Sequence, residues 1–144
     1  MNETRNEGGA TFRFGTVSAV DAKTCRVRVR LPDYDNMRTA WLPVLAAKTQ
    51  DDKDYWLPDV GEQVVALLDE RGEDGVVLGA VYSSADAPPV ASGNKRHIRF
   101  SDGTTAEYDR STHKLAIHCV GDVDITASGD IRLNGANIRL NEGG

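Results

Sequence analysis

Residues 114–141 read KLAIHCVGDVDITASGDIRLNGANIRLN, and their pattern decides what this chain folds into. Apolar side chains fall at alternate positions: Leu115, Ile117 and Cys119; Val123, Ile125 and Ala127; Ile131 and Leu133; Ile138 and Leu140. Polar residues stand between them, among them Lys114, His118, Asp124, Thr126, Arg132 and Arg139. A period of two belongs to strands with one dry and one wet face. Gly, Asp and Asn separate the pieces, as turn formers do. The units recur at roughly six to eight residues, a short internal repeat of the β-helix or β-prism kind. Upstream, HIRFSDG (residues 97–103, with Ile98 and Phe100) and TTAEYD (104–109) share the texture.

One chain alone cannot stabilise such a region. Each strand offers two or three aliphatic side chains, while each residue ordered costs about 1–2 kcal/mol of backbone entropy. Strands paired only with themselves would also leave open edges. Copies wound around one axis solve both problems: the apolar stripes meet in a dry centre, and strand layers stack at about 4.8 Å. The residues expected in that shared core are Ile98, Phe100, Leu115, Ile117, Cys119, Val123, Ile125, Ile131, Leu133, Ile138 and Leu140. The pattern alone leaves the number of chains open; a dimer or a single-chain solenoid fits it less well.

Working towards the N-terminus, residues 84–93 (SADAPPVASG) have the composition of a linker. Before them the spacing predicts five short strands, at about residues 14–20, 24–31, 39–45, 61–68 and 75–82. In TCRVRVRL (24–31), Cys25, Val27, Val29 and Leu31 point one way and Arg26, Arg28 and Arg30 the other. Five strands without a helical pattern fit a small barrel, with the five-stranded OB barrel as the natural candidate. Trp41 reads as core, and Trp56, near Pro58, as a contact residue. The chain is thus expected to be all-β. It comprises a flexible arm (1–11), an OB-fold domain (12–84), a linker (85–94) and an intertwined β-helix or β-prism (95–144).

Composition narrows the function classes. The 144 residues carry 22 acidic and 17 basic side chains, a net charge of −5. That balance disfavours coating of nucleic acid, which needs surplus Lys and Arg. MNETRNEGG (1–9) lacks the apolar stretch of a signal peptide, and no apolar run approaches a membrane span of about 20 residues. A chain made in the cytoplasm and remaining soluble is expected. Cys25 and Cys119 form no CxxC pair and read as buried free thiols, with a disulfide between them an open alternative.

The order of segments resembles a known family. RFGTVSAVD (13–21) leads to CRVRVRLP (25–32), WLPVLA (41–46), DYWLPDVGEQVVALL (54–68) and GVVLGAVYSS (75–84), then a Pro-containing linker and a short-strand repeat. This arrangement is similar to phage baseplate assembly protein V, the central spike of contractile tails. The resemblance implies a homotrimer whose OB domains attach to the baseplate hub and tail tube. Its trimeric β-helix would point at the host and be driven through the outer membrane when the sheath contracts. It places the protein in the virion, assembled in the host cytoplasm, with the barrel binding protein and not nucleic acid. The equivalent spikes of bacteriocin-like and type VI secretion particles remain alternatives. Relatives ending in a His-x-His pair bind iron at the apex. This chain ends IRLNEGG, so no apical metal is expected; a separate tip-capping protein, a blunt tip or a shortened chain would each account for the difference.

Other chemistry finds little support. His113 and His118 sit five apart and face opposite sides of a strand, and with His97 they read as solvated. GxSxG, HExxH and phosphate-loop motifs are missing, and the loop acids Asp51, Asp52, Asp54, Asp69, Glu70, Glu73 and Asp74 read as solvated, so neither an enzyme nor a cofactor is expected. Arg26, Arg28 and Arg30 are the best case for single-stranded nucleic acid, but the reading finds no aromatics interleaved on their face.

Overall fold

The computed structural model describes residues 9–143. The expected arm therefore falls mostly on residues 1–8, outside the described residues, and Thr11 already belongs to the first strand. Nine strands follow: β1 (Thr11–Asp21), β2 (Arg26–Leu31), β3 (Met37–Arg38), β4 (Leu42–Pro43), β5 (Gln63–Leu68), β6 (Gly75–Ala80), β7 (Lys95–Arg99), β8 (Thr105–Asp109) and β9 (Lys114–His118). Among the described residues there is no α-helix, and Pro32–Tyr34 form a single 3₁₀ turn. The chain divides into two compact units between Pro88 and Pro89.

The first unit is a sheet in the order β3-β2-β1-β5-β6, with β4 also paired to β2. A parallel bridge from Val44 to Val77, and the Leu45 N–H donated to the Val77 carbonyl at 3.1 Å, return the far strand to the β4 segment. This closes the sheet on itself as a barrel, with β3 left paired on one side. The core follows from the alternation: Val27, Val29 and Leu31 of β2 meet Val17, Val64, Ala66, Leu68, Val77 and Leu42, all at most 1% exposed. Gly15 lets β1 approach β2 closely; a Cβ there would collide with Val29 and lie 2.6 Å from the Arg30 carbonyl oxygen. Register shifts after Val17 and after Val65 mark bulges that tighten the twist.

Three sequence expectations fail in this unit. The strand expected over residues 39–45 breaks into β3 and β4. Between them Thr39 enters the core, where its Oγ1 accepts the Val29 N–H at 3.0 Å while its own N–H donates to the Val29 carbonyl at 2.8 Å. That detour turns Trp41 outward, 42% exposed, so it is not a core residue. Leu42 takes the interior place instead. Cys25 lies outside β2, at φ 57° in the β1–β2 turn, and is only half-buried.

The second unit is a three-stranded antiparallel sheet, β7-β8-β9. Asp102 accepts the Thr104 N–H in the first turn, and Asp109 accepts from the Ser111 N–H and hydroxyl in the second. Residues 119–143 join no strand ladder within the chain.

Candidate assembly surface

The three-stranded sheet has two unlike faces, and register sorts them. Ile98 pairs with Ala106 and Ala106 with Ile117, while Arg96 pairs with Tyr108 and Tyr108 with Leu115. Paired residues share a face. One side therefore carries Ile98, Ala106, Ile117, Tyr108 and Leu115. The other carries the rows Lys95–Asp109–Lys114 and His97–Glu107–Ala116. Burial runs opposite to what one chain alone would choose. Glu107 and His97 are half-buried on the charged side, whereas Leu115 and Ile117 are each 67% exposed.

The exposed apolar series continues past the sheet. Val120, Val123, Ile125, Ile131, Leu133, Ile138 and Leu140 are all more than half exposed. Of the residues expected in a shared core, Ile98, Leu115 and Ile117 come together on one face. Phe100 lies just past the end of β7 and is 46% exposed. Cys119 is exposed, not buried within the chain, and both thiols are free. Ala106 and Tyr108 join the same face and were missed as core candidates, although the alternation in TTAEYD carries the signal.

On the charged side the Glu107 carboxyl is held below the ordinary glutamate value, first by its hydrogen bond with His97 and then by Lys95. Asp102 and Asp109 are also lowered, chiefly by the backbone N–H of Thr104 and by the hydroxyl of Ser111 respectively. In the β5–β6 turn, Asp69 Oδ1 accepts the N–H groups of Arg71 and Glu73, which lowers its carboxyl, so this loop acid builds a turn. His113 is a turn residue at φ 59°. Among the described residues no group of His, Cys, Asp and Glu could hold a metal ion, and no helix is long and apolar enough to cross a membrane.

The barrel shows a second distinctive surface. Arg26, Arg28 and Arg30 of β2 each donate to a carbonyl on the adjoining segment: Trp41, Thr39 and Asn36 respectively. Arg38 stands opposite Arg30. The Arg28 guanidinium lies 6.0 Å from the centre of the Trp41 ring, so this face does carry an aromatic, contrary to the sequence reading. Trp56, expected as a contact residue, is 67% exposed.

Comparison with known proteins bears on both units. The family described as Type VI secretion system/phage-baseplate injector OB domain matches residues 13–82. The spike protein of Escherichia phage P2 is 32% identical over 121 residues, covering 83% of this chain and 56% of the relative. The chain thus spans about half the length of that curated relative.

Proposed function

We propose that this chain, whose residues 13–82 match the family of type VI secretion and phage-baseplate injector OB domains, is the homotrimeric central spike of a contractile tail. A spike-type role at the baseplate is supported by the likeness to the phage P2 spike protein. The finer reading is mechanical. The barrels attach to hub and tube proteins, and the C-terminal parts of three chains intertwine into a stiff β-prism. Sheath contraction drives that prism through the host outer membrane. The protein performs no catalysis and needs no cofactor. It is assembled in the host cytoplasm and resides in the virion.

The observation that carries this reading is the exposure of the whole apolar series from Leu115 to Leu140. Burying one such side chain contributes roughly 1.5–3 kcal/mol, and the series repeats at strand spacing while none of the described residues buries it. Three copies offer the matching stripe. A prism of that kind opens only when all three chains separate, which makes unfolding slow. Light scattering on the purified protein is the test. A mass three times the 15.6 kDa protomer, retained in SDS, is expected; a 15.6 kDa species would remove the basis for the prism.

A second reading, a barrel that binds single-stranded nucleic acid, is favoured by Arg28 lying 6.0 Å over the ring of the exposed Trp41. Retardation of a labelled oligonucleotide at low salt would support it.

A further inference from the structure

The arginine row has an unusual state. Arg26, Arg28, Arg30 and Arg38 lie together on a chain of net charge −5. Among the described residues, none of them joins an ion pair; those pairs are formed by Lys95, Arg71, His97, Arg132 and Arg139. Each of the four guanidiniums spends one donor on a neighbouring carbonyl or, for Arg38, on the Ser18 hydroxyl. A guanidinium has five N–H donors in a rigid fork. The row is therefore held in place with donors left over, an arrangement suited to carboxylates.

The counterpart lies elsewhere on the same barrel. An open cleft of about 600 Å³ is lined by Asp59, Val60, Glu62, Tyr82 and Asp86. It forms where the Glu62 carbonyl accepts the Val17 N–H and where β6 ends, with β1 standing between it and β2 in the sheet order. Val60 and Tyr82 are 65% and 67% exposed. The cleft thus combines three carboxylates with an aromatic and an aliphatic surface.

We infer that the arginine row of one barrel docks into the acidic cleft of the next copy of this chain, closing a ring of three. This rests on the homotrimer proposed above. A cyclic trimer is built from heterologous contacts, in which two different patches of one subunit meet the complementary patches of its neighbours. A basic patch and an acidic cleft built from different residues of one barrel meet that requirement. The same pairing sets the rotational order of the barrels and rejects contacts between like faces, which juxtapose like charges.

Charge reversal with rescue tests this on the full chain. Both tryptophans, Trp41 and Trp56, lie in the barrel unit, so tryptophan fluorescence reads that unit alone. Arg30→Glu with Arg38→Glu, and separately Asp59→Arg with Asp86→Arg, are each expected to lower the barrel's melting temperature by roughly 4–8 °C. Combining all four substitutions is expected to restore it, because the swapped charges again meet across the interface. Losses that simply add in the combined variant would overturn the inference, as would melting insensitive to both reversals. A row that instead retards a labelled oligonucleotide at low salt, while the acidic reversal changes nothing, would assign it to a polyphosphate and overturn it too. A wild-type mass of one protomer would sink the trimer itself; a trimeric mass without rescue sinks only this contact.

Discussion

His97 Nδ1 on β7 lies 2.9 Å from Glu107 Oε1 on β8, and Lys95 Nζ stands 3.5 Å from the same oxygen. This cluster ties the charged rows of the C-terminal sheet together, and the His97 bond is the first cause of the lowered Glu107 carboxyl. A group whose pKa is depressed on folding contributes stability that is fully present above its unfolded value, about 4.3 for glutamate. The contribution disappears as pH falls through the lower folded value. Amide protection factors in β7–β9, which compare each rate with that of the unfolded chain at the same pH, are expected to fall on acidification below about pH 4.3, and Glu107→Gln is expected to flatten that dependence. An identical acid limb in wild type and variant would remove Glu107 from the account.

The shared core makes a sharper claim about mass. Leu133 is 68% exposed in the single chain, so nothing within the protomer penalises a charge there. If Leu133 faces two copies of itself, Leu133→Asp brings three carboxylates into a dry centre, where unpaired charge is strongly destabilising. Light scattering is expected to show this variant at the 15.6 kDa protomer mass, with Thr126→Asp, on the alternate face, unchanged from wild type. A Leu133→Asp protein as heavy as wild type would contradict the core assignment.

Thr39 is expected to matter more than its type suggests. Its Oγ1 accepts the buried Val29 N–H and donates to the Ala40 carbonyl. Thr39→Val keeps the shape and strands that N–H, at about 1–3 kcal/mol. Urea titration followed by tryptophan fluorescence measures the loss, and a midpoint unchanged from wild type would show that the bond is dispensable.

Gly15 tests the barrel's closest approach. Because a Cβ there meets Val29 and the Arg30 carbonyl oxygen, Gly15→Ala must push β1 away from β2. Overpacking of this kind costs typically about 1–3 kcal/mol, whereas Gly93→Ala, with open space around it, is expected to be neutral. Thermal melting of the two variants side by side distinguishes steric conflict from loss of glycine as such.

Much of the barrel was legible because its strands alternate cleanly. In RVRVRL each valine or leucine is buried and each arginine faces outward, which period-two reading captures directly. The 39–45 segment was misread for a local reason. Its side chains allow a continuous strand, but the Thr39 hydroxyl bonds the neighbouring backbone and breaks the ladder, exposing Trp41. That choice depends on where Val29 sits, which no local pattern contains. The arginine row shows the same limit. Its side chains could be placed on one face from sequence, but the Trp41 ring beside Arg28 comes from a segment about a dozen residues away.

By itself the sequence determined the all-β character, the buried identity of Val27, Val29 and Leu31, and the apolar series from Leu115 to Leu140, because strand periodicity is a property of neighbouring residues. The alternation in TTAEYD puts Ala106 and Tyr108 on one side of their strand, but the tertiary structure alone decided that this side is shared with Ile98, Leu115 and Ile117, since only strand register sets which residues stand opposite each other. It also decided that Tyr108, Leu115 and Ile117 of this face are exposed while His97 and Glu107 on the other side are half-buried. Burial is a relation between segments distant in the chain, and it exists only once those segments have been brought together.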